Sequence, residues 1–399
     1  MNRIVIVGAS AGGLTTAEAL RRAGYGGVIT LVGEEPHLPY DRPPLSKQVL
    51  TGEWEPERLV LRGKAEMDAL GLDLRLGVPA IGLDLSGRSV ALADGAEVPY
   101  DALVIATGVR PRHLPGSEVV PGVHTLRTLD DAVSLKARLL PGRRLVIVGA
   151  GFVGAEVAAV ASGLGVKVTL LEAGPLPLAQ TIGEQAGHVL AEIHRGHGVE
   201  LRTHAAVAEI VSAGGAVTGV RLADETVLPA DDVLVAIGSV PNTAWLDGSG
   251  LTLGDGLVCD MFSAAPGVYG VGDVARWHNP LFGTAMRVEH RTHAAEQGLA
   301  VAHNMLHPQT RRPFAPVPYF WSDQYGRKIQ AYGHLRDHDE ALVLDSDVSQ
   351  RRLLIAYRTG DRVAGVLAAG MSPKILRTWR ALIAARTPWA TAIADTTAA

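Results

Sequence analysis

The stretch Arg3-Ile4-Val5-Ile6-Val7-Gly8-Ala9-Ser10-Ala11-Gly12-Gly13 decides how the chain is read, because it recurs as Arg144-Leu145-Val146-Ile147-Val148-Gly149-Ala150-Gly151-Phe152-Val153-Gly154. In each copy a run of branched apolar residues predicts a buried strand, and the glycines permit a tight turn into a helix. Helix-compatible stretches follow (Leu14 to Ala23 and Ala155 to Gly163), then second strands (Gly27 to Val32 and Val166 to Leu171). Each second strand leads to an acid, Glu34 or Glu172. The spacing is close to the roughly 20 residues at which a carboxylate accepts from nucleotide ribose hydroxyls. Backbone N–H groups at such a helix start can approach a pyrophosphate. Two loops imply two dinucleotides, and hydride traffic between them. The alternative is glycine used only for close helix–strand packing. Ser10, where a middle glycine usually sits, makes the first copy the less regular.

The halves also close alike. Tyr100-Asp101-Ala102-Leu103-Val104-Ile105-Ala106-Thr107-Gly108-Val109-Arg110-Pro111 and Asp232-Val233-Leu234-Val235-Ala236-Ile237-Gly238-Ser239-Val240-Pro241-Asn242 both read as buried strands ending in a glycine turn. β-rich inserts precede them, near Leu72 to Val98 and Val199 to Leu228. A duplicated nucleotide-binding architecture explains the repeat. Gly267-Val268-Tyr269-Gly270-Val271-Gly272-Asp273 then reads as a strand and turn, followed by a long helix from Glu289 to Met305. Beyond lie strands at Lys328 to Tyr332, Glu340 to Leu344, Leu353 to Arg358 and Arg362 to Ala368, and a helix near Lys374 to Ala385. These form a separate α+β domain, with a loosely held Ala/Thr-rich tail after Pro388.

At 399 residues the chain exceeds one typical core and implies two or three domains. Apolar residues at 47% and 46 glycines suit an α/β architecture. A net charge of −4 gives no general pull toward nucleic acid or anionic membrane. Cys259 is the sole cysteine, which excludes an internal disulfide or Cys-x-x-Cys pair and suits a reducing cytosol. The first strand starts within three residues, leaving no room for a signal peptide. The apolar run Leu145 to Leu171 is interrupted by Glu156 and Lys167, so a buried unit is expected rather than a membrane span. These readings give a soluble, cytoplasmic protein. Among 14 histidines, His290 and His293 are three apart, but no cysteine or carboxylate pattern completes a metal site. No metal is expected, and most histidines are expected at the surface.

Four further segments carry a resemblance: Tyr40-Asp41-Arg42-Pro43-Pro44-Leu45-Ser46-Lys47, Ala106-Thr107-Gly108, Gly272-Asp273 and Tyr319-Phe320-Trp321-Ser322-Asp323-Gln324-Tyr325-Gly326. With the two glycine loops they resemble the FAD-dependent pyridine nucleotide oxidoreductases with two dinucleotide-binding folds. Within that family they are similar to the ferredoxin reductases of oxygenase systems. The resemblance implies an α/β fold with two Rossmann-like domains. Residues 1–112 and 243–318 would form a discontinuous FAD-binding domain, 113–242 an NAD-binding domain and 319–399 the C-terminal α+β domain.

For noncovalent FAD it implies contacts from Gly8, Ser10, Gly12, Gly13, Glu34, Arg42, Pro43, Lys47, Ala106, Thr107, Gly108, Gly272, Asp273, Glu289, His290 and Trp321. Arg42 would offer its donor fork to phosphate, and Asp273 would accept from a ribityl hydroxyl. The helix starting near Glu289 would aim its positive end at the flavin pyrimidine. For NADH it implies Gly149, Gly151, Phe152, Val153, Gly154, Glu156, Glu172, Ile237 and Gly238. Glu172, followed by Ala173-Gly174-Pro175 with no arginine, favours NADH over NADPH.

Lys47 and Glu156 would be catalytic, as an ion pair beside the reactive flavin nitrogen. The plainer alternatives are Lys47 on a solvated loop and Glu156 capping its helix. Trp321 would cover the flavin, line an electron exit or anchor the domain junction. The family usually shows Trp and Asn where this chain has Arg291 and His293.

The implied reaction moves a hydride from NADH to FAD, then single electrons to a two-iron ferredoxin serving a cytochrome monooxygenase or ring-hydroxylating dioxygenase. A rubredoxin reductase, or an NADH-binding flavoprotein with a signalling role, is the alternative. Arg311, Arg312, Lys374, Arg377 and Arg380 are candidate docking residues for an acidic ferredoxin.

Overall fold

Strand, small-residue helix and strand repeat in the chain, and two parallel sheets with the same wiring result. The computed structural model describes residues 1–347 and 352–397. It comprises two compact units. One holds Met1–Arg42, Pro56–Arg110 and Val240–Pro316; the other holds Pro43–Glu55, Pro111–Ser239 and Val317 to the C-terminus.

In the first unit a six-stranded sheet runs in the order Ala264–Ala265, Val268–Gly270, Ala102–Ile105, Arg3–Val7, Val28–Gly33, Asp73–Leu76. All neighbours are parallel except the first pair. Strand alternation sends Ile4 and Ile6 to one face and Val5 and Val7 to the other. Ile4 and Ile6 join a core with Leu14, Ala17 and Leu20 of the helix Ala11–Arg22. Val5 and Val7 join one with Val90, Leu92 and Trp277.

The second unit repeats the plan. Its five-stranded parallel sheet has the order Glu200–Arg202, Lys167–Leu171, Arg144–Val148, Asp232–Val235, Val123–His124. Leu145 and Ile147 pack with Val157, Ala158 and Ala161 of the helix Phe152–Gly163. The duplication extends to single hydrogen bonds. Gly8 N donates to Val32 O at 2.8 Å and Gly149 N to Leu171 O at 2.9 Å; Ala106 N donates to Val7 O at 2.7 Å and Ala236 N to Val148 O at 2.8 Å. The β-rich inserts form three-stranded antiparallel sheets in both units.

The second unit also carries an antiparallel sheet ordered Tyr319–Gln324, Arg327–Gly333, Arg362–Ala369, Arg352–Thr359, Glu340–Asp347. The helix Pro373–Ala384 packs on it, burying Leu376, Trp379 and Ile383. The α/β class and the separate C-terminal sheet match the sequence reading. Among the described residues, no helix is long and apolar enough to cross a membrane.

Two expectations need correction. Residues after Pro388 are not loose: Trp389–Thr397 is a helix whose Trp389 N donates to Asp361 O at 2.6 Å and whose Ala392 is fully buried. Its alanine content supports helix, and the strand Arg362–Ala369 supplies the packing. Residues 398 and 399 lie outside the described residues. The helix expected from Glu289 starts at Arg291, because His290 is its extended N-cap and Glu289 pairs with Arg287 Nη1 at 2.6 Å. Of the 14 histidines, only His194 and His293 are buried, and the others are at least partly exposed.

Both loop helices begin earlier than their apolar runs suggest, so Gly12, Gly13 and Gly154 belong to first turns. A Cβ on Gly154 would sit 2.0 Å from Gly149 O, whereas one on Gly163, in the same helix, meets nothing within 4 Å. Gly154→Ala should therefore lower the melting temperature by several degrees, from an overpacking cost of about 1–3 kcal/mol. Gly163→Ala should leave it equal or raised. Equal shifts in calorimetry would contradict the close approach.

Candidate functional site

The first glycine loop leaves a strand and enters a helix with no room for side chains at two positions. Gly8 has φ +124°, and a Cβ there would lie 2.1 Å from Ala106 O; a Cβ on Gly13 would lie 1.9 Å from Gly8 O. The helix Ala11–Arg22 also meets Gly298 closely, where a Cβ would fall 2.8 Å from Gly12 O. Ser10 is the helix N-cap but makes no capping bond with its side chain. First-turn N–H groups of a helix have no intrahelical acceptor, so this bare loop fits a pyrophosphate.

Other expected residues of this unit gather on its loops. Glu34 is exposed at the end of Val28–Gly33. Arg42 is already engaged: its guanidinium donates to Glu35 Oε1 at 2.6 Å and to the Tyr40 hydroxyl at 2.9 Å, while that hydroxyl donates to Glu35 Oε2 at 2.5 Å. The Ala106-Thr107-Gly108 turn is closed by Asn242. Thr107 Oγ1 donates to Asn242 O at 2.8 Å, and Asn242 Nδ2 donates back to Thr107 O at 3.0 Å. Gly272, with φ +75°, is fixed by Gln297 Oε1, which accepts from its N–H at 2.8 Å. Asp273 follows in the same short turn. Arg291, the first residue of its helix, donates from Nε to Asp41 Oδ1 at 2.8 Å. His293 packs against the rings of Trp277 and Phe314, at 4.6 and 5.3 Å, and those two rings also meet at 5.6 Å. Burial pushes His293 down to about 3 and His290 down to about 4, so both are neutral near pH 7.

The second loop reproduces the first. Gly149 has φ +104°, and a Cβ there would lie 2.4 Å from Ala236 O. Gly151 is the helix N-cap, Phe152 packs its ring 4.9 Å from Phe320, and Val153 is exposed. Glu172 turns back onto the loop. Its Oε2 accepts from Ala150 N at 3.2 Å and its Oε1 from Gly174 N at 2.8 Å, leaving lone pairs on both oxygens. Ile237 and Gly238 form the turn after Asp232–Val235, where Gly238 O accepts from Arg112 N at 2.9 Å.

Lys47 and Glu156 meet in this unit. Lys47 Nζ donates to Glu156 Oε2 at 2.7 Å, with 11% and 6% of the side chains exposed. A solvated lysine and a helix-capping glutamate are thereby ruled out. Three further donors converge on the carboxylate: Ser46 Oγ on Oε2 at 2.5 Å, Ser322 Oγ on Oε1 at 2.8 Å, and Asp323 N on Oε1 at 3.3 Å. Lys47 Nζ also donates to Pro43 O at 3.0 Å. A buried ion pair with these extra donors holds one geometry, and removing one partner typically costs about 3–5 kcal/mol. Trp321, on the half-exposed face of its strand, lies under Lys328 Nζ at 5.5 Å and stacks with Tyr319 at 5.8 Å.

Sequence reasoning passed over Glu35, Ser46, Asn242, Gln297 and Ser322. Four of the five are neutral polar residues with no periodic or charge signal. Ser46 and Ser322 stand inside the segments Tyr40 to Lys47 and Tyr319 to Gly326, which were the available pointer.

The pattern of matches agrees with this geometry. A family model described as pyridine nucleotide-disulphide oxidoreductase matches residues 2–298, and one described as reductase C-terminal matches 319–399. A probable ferredoxin reductase of Castellaniella defragrans is 40% identical over 369 residues, covering 91% of this chain and 89% of that protein. The ferredoxin–NAD(+) reductase component of the p-cumate 2,3-dioxygenase system of Pseudomonas putida is 38% identical over 336 residues, covering 84% and 81%. The solved covalent complex of putidaredoxin reductase with putidaredoxin aligns with TM-score 0.92 at 33% identity, covering 97% of this chain and 94% of that one. The chain therefore belongs to the pyridine nucleotide-disulphide oxidoreductase family and ends in a reductase C-terminal domain.

Proposed function

We propose that the chain is an FAD-containing, NADH-dependent ferredoxin reductase, taking a hydride from NADH and passing single electrons to a two-iron ferredoxin of an oxygenase system. The observation that carries this reading is the buried Lys47–Glu156 pair on the helix of the second glycine loop, in a chain with two such loops. The ferredoxin reductases among its relatives support the choice of acceptor. Disulphide exchange needs two thiols; Cys259 is alone, and burial pushes its thiol up to about 12. The same single cysteine supports a cytoplasmic protein.

In this reading the first loop, with Ser10, Glu34, Arg42, Pro43, Thr107, Gly108, Asp273, Glu289, His290 and Trp321, serves FAD. The second, with Val153, Glu172, Ile237 and Gly238, serves NADH. The first-turn N–H groups after Gly151 take the NADH pyrophosphate. The remaining lone pairs of Glu172 accept from the adenosine 2′-hydroxyl and repel a 2′-phosphate. Lys47 supplies a fixed positive charge that would favour the negative charge the hydride carries to the accepting ring, while the nicotinamide it leaves becomes cationic. FAD, when bound, supplies the conversion of one two-electron transfer into two one-electron deliveries. Glu156 keeps the ammonium in one place.

The helix Pro373–Ala384 has only positive charges, with Lys374, Arg377 and Arg380 exposed opposite its buried stripe. It is suited to steering an acidic partner.

Glu172→Ala should lower kcat/KM for NADH roughly tenfold or more, the equivalent of about 1.5–3 kcal/mol for a charged hydrogen bond, while NADPH changes less. Unchanged selectivity would remove Glu172 from the ribose. With a two-iron ferredoxin supplied, cytochrome c reduction should fall as salt rises from low to physiological, and fall with charge reversal at Lys374, Arg377 and Arg380. NADH–ferricyanide activity should hold. Turnover with rubredoxin alone, or none with either acceptor, would overturn the assignment.

A further inference from the structure

Ser322 belongs to a hydrogen-bonded line that reaches Lys47 from the C-terminal sheet. The strand Tyr319–Gln324 buries Phe320, Ser322 and Gln324 on one face. The helix Phe152–Gly163 meets that face with Phe152 and Glu156: Phe152 packs on Phe320, and Glu156 accepts from Ser322. The spacings match, since four helical residues rise about 6 Å and two strand residues about 6.6 Å. The ring contact therefore sets the distance at which the hydroxyl meets the carboxylate.

The direction of each proton follows from the donors. Gln324 Nε2 donates to Ser322 Oγ at 3.1 Å, which turns the Ser322 proton toward Glu156 Oε1 at 2.8 Å. Ser46 and Lys47 hold the other oxygen. With both oxygens pinned from opposite sides, the carboxylate cannot rotate about its terminal torsion, which is otherwise broad. Lys47 is then confined by Glu156 Oε2 and Pro43 O. Ser322 itself has no exposed surface.

We infer that Ser322, oriented by Gln324, is a positioning residue for hydride transfer, acting through Glu156 on Lys47. The C-terminal domain thereby contributes to the NADH half-reaction as well as to acceptor docking. This rests on the proposed role of Lys47.

The test compares Ser322→Ala, Ser322→Thr, Gln324→Met and Lys47→Ala with wild type in anaerobic single-turnover reduction by NADH. A second readout is acylation of Lys47 followed by mass spectrometry, in a chain with only six lysines. Ser322→Ala should slow reduction roughly tenfold with little change in the NADH concentration dependence, and Ser322→Thr should restore it. Gln324→Met should shift both readouts in the same direction but less, and it serves if Ser322→Ala does not fold. Lys47 labelling should rise severalfold in Ser322→Ala with or without FAD, and adding Lys47→Ala should slow reduction no further than Lys47→Ala alone. Unchanged Lys47 labelling in Ser322→Ala, or effects additive with Lys47→Ala, would overturn the inference. Wild-type reduction in Lys47→Ala would sink the underlying reading of Lys47, while the labelling result would still report on Ser322.

Discussion

Everything else in this fold depends on two carbonyl oxygens that approach glycines too closely for any side chain. Gly8 O faces Gly13 and Gly149 O faces Gly154, with hypothetical Cβ contacts of 1.9 and 2.0 Å. That approach brings each helix start against the end of its strand, so first-turn N–H groups and dipole point into an open loop. The same constraint fixes the neighbouring turns, because Gly8 and Gly149 also press on Ala106 O and Ala236 O. Strand, loop, helix and closing turn are therefore specified together, twice.

The fold was legible for this physical reason. Branched apolar runs at Ile4 to Val7 and Leu145 to Val148 sit beside small-residue helices, and few other architectures tolerate so much glycine there. Helix starts were misjudged because Gly12, Gly13 and Gly154 read as loop, whereas tertiary packing makes them helical. The tail after Pro388 was misread because composition carries no record of the strand Arg362–Ala369 that receives it.

The candidate site was legible where charge marked it and opaque where only geometry did. Lys47 and Glu156 stand 109 positions apart, and a family resemblance, not periodicity, joined them. Their neutral partners Ser46 and Ser322 carry no charge or spacing signal, yet they complete the carboxylate's hydrogen bonding. A buried carboxylate is stable here because its four donors arrive as two adjacent pairs from two distant segments, Ser46 with Lys47 and Ser322 with Asp323. The charge on Lys47 is held in place in advance by Glu156 and Pro43, which is the preorganisation its proposed role requires.

The central claim is that two similar loops hold two different dinucleotides. Denaturing the purified holoprotein and chromatographing the released nucleotide, then titrating intact holoprotein with NAD+ by calorimetry, tests it most directly. The account predicts about one FAD released per chain and about one further NAD+ bound, with the second event lost in Gly149→Val while FAD is retained. Release of FMN or of two FAD per chain, or NAD+ binding that survives Gly149→Val unchanged, would contradict it.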